Sequence, residues 1–235
     1  MRTFAALAVS LALLASAPRP ARAESEAAEC LRALDRLGVA YRRVERRGIA
    51  IAVEVRGRLG GIEYRSYSGE ALVLDCSLVQ SLASAGSMLR ARGIERVNYS
   101  SAYQRRNIRG TSRPSRHSFG LAIDVHTFVL AGETVAVIKS DYEQGLGDAG
   151  DCVGEPLTEL GGLLRAVECD LVRSDLFRAL LTPDFDPDHY NHFHLEALPW
   201  SERARPEADL ASARPPPHAP PRRPRPARAG AGAGA

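Results

Sequence analysis

Apolar positions recur along the chain with two different periods, and the switches between them outline the elements. From Glu26 to Leu37, the residues Leu31, Leu34 and Leu37 fall at helical spacing and Gly38 ends the run, which predicts a short helix. Residues Ile49–Val55 and Ile62–Tyr67 alternate instead, with Gly57, Gly60 and Gly61 between them, which predicts a β-hairpin. A short strand at Leu72–Leu74 leads into Ser77–Arg92, where Leu78, Leu82, Ala85 and Leu89 share one helical face and Gly93 follows the last turn. Ile94–Tyr99 reads as a strand, Leu121–Phe128 and Thr134–Lys139 as a pair joined across Ala131-Gly132-Glu133, and His192–Leu198 as a final strand. A helix carrying Leu157, Leu160, Leu164 and Val167 lies before that last strand. Short strands with segregated helices predict an α+β domain, with a central antiparallel sheet flanked by helices.

The ends of the chain read differently. Residues 1–23 contain Arg2, an apolar run from Phe4 to Ala15, two prolines and a closing Ala21-Arg22-Ala23, the layout of a secretory signal cleaved before Glu24. No apolar run approaches the about 20 residues of a bilayer span, so no transmembrane segment is expected. Residues 201–235 are dense in Pro, Arg, Ala and Gly and hold little to bury, so they are expected to form a disordered tail. The folded domain is therefore expected over 24–200, secreted across the inner membrane to a periplasmic or extracellular location and acting as a monomer.

Charge sharpens this division. The chain of 235 residues has a formal net charge of +3, yet all 28 acidic side chains stand in residues 24–211, against 23 basic ones. The basic excess belongs to the leader and the tail, not to a folded surface, which argues against a nucleic-acid partner. The tail's arginines suit an anionic envelope surface, or the tail is a neutral extension. Four cysteines, Cys30, Cys76, Cys152 and Cys169, form no C-x-x-C pair, which excludes a zinc ribbon or a thioredoxin-like site. An oxidising compartment implies two disulfides, and proximity in sequence favours Cys30–Cys76 and Cys152–Cys169 among the three connectivities.

Candidate chemistry lies in two short polar segments, Ser115–Asp124 and Asp188–Glu196, which hold His117, His189, His192 and His194. In a strand from Leu121, Asp124 shares a face with Ala122, opposite Leu121, Ile123 and Val125, which should meet the core. His192, His194 and Glu196 likewise share a face opposite Phe193, Leu195 and Ala197. If the two strands are neighbours, Asp124 and His194 converge, and His117 arrives from the loop before Gly120. Two imidazoles and one carboxylate, with a fourth position left to water, make the ligand set of a catalytic zinc site on one sheet face. Zinc there lowers the pKa of its water and polarises a substrate carbonyl. His192 is the best-placed group to take the proton, His189 the next, and Asp188 a candidate to orient either. His126 reads as a polar neighbour on the Asp124 face and His218 as part of the tail. Asp184, Asp186 and Asp188 mimic the start of a calcium loop, but His189 and Leu195 stand where that loop needs Gly and Glu.

The runs Ser-Arg-His-Ser-Phe-Gly-Leu-Ala-Ile-Asp (115–124) and His-Tyr-Asn-His-Phe-His-Leu (189–195) resemble the bacterial extensin-like C-terminal domain family. The likeness runs from about Cys30 to Glu196, includes the Leu-Gly-Val after the first helix and the Arg-Arg-Asn at 105–107, and excludes the tail. That family is similar to the D-alanyl-D-alanine metallopeptidases and to the wider group joining lysostaphin with the hedgehog signalling domain. The spacing of His189, His192 and His194 is similar to that of penicillin-insensitive murein endopeptidases. The resemblance implies His117, Asp124 and His194 as zinc ligands, with Ser115 and Gly120 shaping the loop that presents the first. It also implies an oxyanion-stabilising arginine or tyrosine, for which Tyr103, Arg105 and Arg106 are the candidates. Asn191 departs from the pattern: the peptidase branches place a glutamate base there, so the proton falls to His192, or there is no turnover.

Two readings follow. The first is a secreted zinc metallopeptidase that hydrolyses D-alanine-containing bonds in peptidoglycan peptide stems, as endopeptidase or carboxypeptidase. The second is a non-catalytic, zinc-stabilised cell-wall-binding domain. A structural envelope protein that keeps the metal site by descent is a third.

Overall fold

The computed structural model describes residues 19–203, with side chains from Ala23 onward. Of the leader expected over residues 1–23, residues 1–18 lie outside the described residues, as do residues 204–235 of the tail expected over 201–235. The first helix, α1 (Arg19–Arg36), begins before the Glu26 that its apolar spacing marks and stops just before Leu37 and Gly38.

Two sheets follow. β1 (Tyr41–Arg43), β2 (Ala52–Val55) and β4 (Val73–Asp75) form a three-stranded antiparallel sheet in the order β1-β2-β4. β3 (Glu63–Ser66), β5 (Ile94–Ser101), β6 (Ala122–Leu130), β9 (Phe193–Glu196) and β8 (Ala179–Leu181) form the larger sheet in that order, with β7 (Val135–Val137) also on β6. All its pairings are antiparallel except β3 with β5, so the central sheet is mixed. The helices are α2 (Cys76–Ala91), α3 (Ile138–Asp141), α4 (Glu159–Arg173) and α5 (Trp200–Arg203).

The hairpin expected between Ile49–Val55 and Ile62–Tyr67 does not form. β2 pairs with β1 and β4, whereas β3 crosses to the other sheet beside β5. The glycines between them make a corner that packs inward: Leu59 and Ile62 are fully buried and pair with each other, and Gly60 lies against Gly86 of α2. Burial of that corner under α2, rather than a tight surface turn, separates the two strands. Leu157 also departs from expectation, lying outside α4 and 93% exposed.

α2 starts where Asp75 caps it, accepting from Ser77 N at 2.9 Å and from Ile51 N at 3.1 Å. Its buried face, Leu78, Leu82, Ala85 and Leu89, joins Leu34 of α1, Leu164 and Val167 of α4, and the sheet residues Val97, Ile123, Phe128 and Phe193 in one core. Both disulfides follow the expected connectivity. Cys30–Cys76 ties α1 to the first residue of α2, and Cys152–Cys169 ties the loop before α4 to that helix.

β6 is the strand on which the site is organised. One of its edges is divided between β9, which pairs with Ala122–Val125, and β7, which pairs with Thr127–Val129. His126 stands at the division. Alternation then separates the faces as anticipated: Ile123 and Val125 enter the core, as do Phe193 and Leu195 of β9.

Candidate metal centre

The β6–β9 register sets Asp124 opposite His194. The third group comes from a one-turn 3-10 helix, Arg116–Phe119, which Ser115 caps by accepting from His117 N. Gly120 ends that turn at φ +63°. Its carbonyl accepts from Asp75 N at 2.9 Å, and a Cβ there would meet Asp75 N and the Ile49 side chain at under 3 Å. Glycine is needed for both the conformation and the close approach, and the turn so held carries His117 into the sheet.

Three ligand atoms converge in a buried space. His117 Nε2 lies 3.1 Å from Asp124 Oδ1 and 3.3 Å from His194 Nδ1, and Asp124 Oδ1 lies 2.6 Å from His194 Nδ1. The residues are 0%, 5% and 7% exposed for His117, Asp124 and His194. A tetrahedral zinc ion with ligands at about 2 Å spaces them about 3.3 Å apart, so this triangle fits one ion with a small opening of its shortest side.

The outer nitrogens fix which lone pairs face inward. His117 Nδ1 donates to the Ala102 carbonyl at 2.9 Å, which leaves Nε2 as the acceptor. Nε2 of His194 donates to Glu196 Oε1 at 3.1 Å, so Nδ1 is the nitrogen available to a metal. Burial by itself lowers the pKa of His194, but hydrogen bonds to Asp124 and Glu196 outweigh it and raise it to about 9. Burial also opposes ionisation of Asp124, yet His117 and His194 hold its carboxyl far below the usual carboxylate range.

His192 stands just outside this triangle. Its Nε2 is 3.5 Å from Asp124 Oδ1, and its Nδ1 donates to Asn191 Oδ1 at 2.9 Å. Burial, helped by the charges of His189, His126 and His194, pushes its pKa down to about 4 against the pull of Asp124. The ring is therefore neutral near pH 7, with Nε2 as an acceptor. His126 supports it: Nδ1 donates to the Asn191 carbonyl at 3.0 Å, Nε2 accepts from Ser100 Oγ at 2.7 Å, and its ring lies 5.3 Å from that of His192.

The ring nitrogens of His189, His192 and His194 make a second group able to hold a metal, sharing His194 with the first. The carboxylate on His189 is Asp186, at 2.7 Å from Nδ1, not Asp188, which pairs with Arg109 at 2.6 Å. Asp186 caps the 3-10 turn Pro187–His189, and an Asp followed by Pro is the sequence signal of such a cap. Arg106 is the arginine that reaches the site, its guanidinium 3.3 Å from Asp124 Oδ2. Tyr103 instead donates its hydroxyl to the Arg47 carbonyl, and Arg105 lies on the exposed surface.

A groove of about 600 Å³ runs along the end of β5, lined by Arg46, Glu70, Tyr99, Ser100, Ser101 and Tyr103. Ser101 Oγ lies 3.3 Å from His117 Nδ1, so the groove backs onto the candidate ligand cluster. A larger surface depression, of about 780 Å³, borders Glu143, Leu157 and Glu159 and contains none of the histidines.

The fold and site together define an α+β domain with a central mixed sheet and a buried His-Asp-His cluster fit for a divalent metal. The chain belongs to the family described as extensin-like protein C-terminus, whose model matches residues 28–205. No curated protein and no solved structure matches it. Among the described residues, no helix is long and apolar enough to cross a membrane.

Proposed function

We propose that this protein is an exported zinc metallopeptidase that hydrolyses D-alanine-containing peptide bonds of peptidoglycan, as endopeptidase or carboxypeptidase. The observation that carries the reading is His192: a neutral imidazole whose Nε2 lies 3.5 Å from a ligand oxygen yet stands outside the three-ligand set. That leaves a position for water beside a proton acceptor. The substrate class rests on the resemblance of the two histidine segments to the D-alanyl-D-alanine metallopeptidases.

His117, Asp124 and His194 would hold the ion, and zinc when bound supplies a Lewis acid and a water of lowered pKa. His192 Nε2 takes the proton of the attacking water and returns it to the leaving amine. Asn191 and His126 keep that ring turned so that Nε2 faces the site. The Arg106 guanidinium is the cation nearest to the ligands from which charge on the substrate carbonyl oxygen can be met.

The second reading, a zinc-stabilised wall-binding domain without turnover, is favoured by Asn191, which stands where related peptidases carry a glutamate. Mass spectrometry of muropeptides after incubating intact sacculi with the zinc-loaded protein separates the two. Loss of cross-linked species marks an endopeptidase and loss of terminal D-alanine a carboxypeptidase. A profile matching that of Asp124→Ala leaves the binding domain as the better reading.

A further inference from the structure

The inner ligands have a problem of access. His117, Asp124 and His194 are almost wholly enclosed, so an ion has to shed its water on the way in. The half-buried histidines lie on the outside of that set. Side chains of His189 and His192 are 16% and 12% exposed, and their ring nitrogens lie within 4.8 Å of one another and of His194.

Both outer imidazoles are arranged as metal ligands are. His189 Nδ1 donates to Asp186 Oδ1 at 2.7 Å and His192 Nδ1 to Asn191 Oδ1 at 2.9 Å, which fixes each ring and leaves each Nε2 as a lone pair. His194 belongs to both sets, but it has one nitrogen to give. Its Nε2 is held by Glu196, and its Nδ1 faces His117 and Asp124. The two three-ligand positions therefore cannot be complete at the same time. His192 Nε2, 3.5 Å from Asp124 Oδ1, bridges the short distance between them.

We propose that His189, His192 and His194 form an entry station for the metal. A divalent ion first binds this outer set and then passes to His117, Asp124 and His194, with His194 as the ligand common to both. The inference rests on the proposed function only in taking the inner set as the resident metal site. It predicts a kinetic role for His189 that a catalytic or structural role does not produce.

The test follows Zn2+ uptake and release by the metal-free full-length protein with a chromophoric zinc indicator in stopped flow. In His189→Gln, uptake and release should both slow severalfold, while the equilibrium affinity stays near wild type. Asp186→Asn, which keeps the imidazole but removes its carboxylate, should slow both steps to a smaller extent. Asp124→Ala should still take up one Co2+ weakly, and Asp124→Ala/His189→Gln should take up none. Wild-type uptake rates in both His189→Gln and Asp186→Asn would overturn the proposal, as would an Asp124→Ala protein that binds no cobalt. If wild type binds Zn2+ no more tightly than Asp124→Ala does, the inner-site reading fails instead, and cobalt on Asp124→Ala still reports on the outer set.

Discussion

Asp124 Oδ1 and His194 Nδ1 face each other at 2.6 Å from directly opposed positions on adjacent antiparallel strands. Strand register alone therefore brings together two of the three proposed inner ligands, and the sheet holds them in place without a metal. The first prediction follows. Zinc at a thousandfold excess over its Kd should stabilise the protein by about 4 kcal/mol, read as a rise in Tm. His194→Ala should lose that rise and Asp124→Ala most of it, and both should lose all activity. A zinc-dependent shift in Asp124→Ala as large as that of wild type would remove this carboxylate from the ligand set.

His192 separates chemistry from metal binding. His192→Ala should keep the zinc-induced rise in Tm while kcat on cross-linked muropeptides falls by about 10²–10⁴-fold, the usual contribution of a general base. Turnover unchanged from wild type would pass the proton role to His189.

Gly120 carries the turn that presents His117, and it has neither the conformation nor the space for a side chain. Gly120→Ala should cost at least about 2 kcal/mol, from the left-handed backbone and the clash with β4 together. It should also weaken zinc binding, measurable by calorimetry. Weakened stability with unaltered zinc affinity would show that the turn does not set the His117 position.

Two disulfides close loops of different length, 46 residues for Cys30–Cys76 and 17 for Cys152–Cys169. On chain-entropy grounds their removal by paired Cys→Ser substitution should cost about 4 and about 3 kcal/mol, respectively. Denaturant titration of the two double variants checks the order.

Arg165, 5% exposed on α4, donates to the carbonyls of Leu146, Gly147, Asp148 and Val153 and to Glu168. A single planar guanidinium thus gathers the loop before α4. Arg165→Lys should free that loop, since Nη2 holds the four carbonyls while Nη1 holds Glu168, and a single ammonium cannot serve both at once. Hydrogen exchange should accelerate over 144–157 and leave β6 and β9 unchanged.

Much of the site could be read from alternation along two segments. Ile123 and Val125 against Asp124, and Phe193 and Leu195 against His194, are short-range facts: the strand period alone assigns each side chain to a face. Ser115 and Gly120 around His117 come from the family resemblance, and the structure gives their physical reason: Ser115 caps the turn and Gly120 ends it in the left-handed conformation. The helices α2 and α4 and the pairing of β6 with β7 follow from the same short-range patterning.

Partners in space were decided elsewhere. Alternation gives β2 and β3 a face but no neighbour, and burial of Leu59, Ile62 and Gly60 beneath α2 sends them to different sheets, β3 parallel to β5. The choice of Arg106 over Tyr103 and Arg105, and the use of Asp186 rather than Asp188 on His189, depend on how loops distant in sequence fold over one sheet edge. The sharing of His194 by two histidine sets has the same origin. Periodicity is a property of neighbouring residues, so the sequence by itself determined which side chains could meet at a metal. The packing of the whole core determined which of them do.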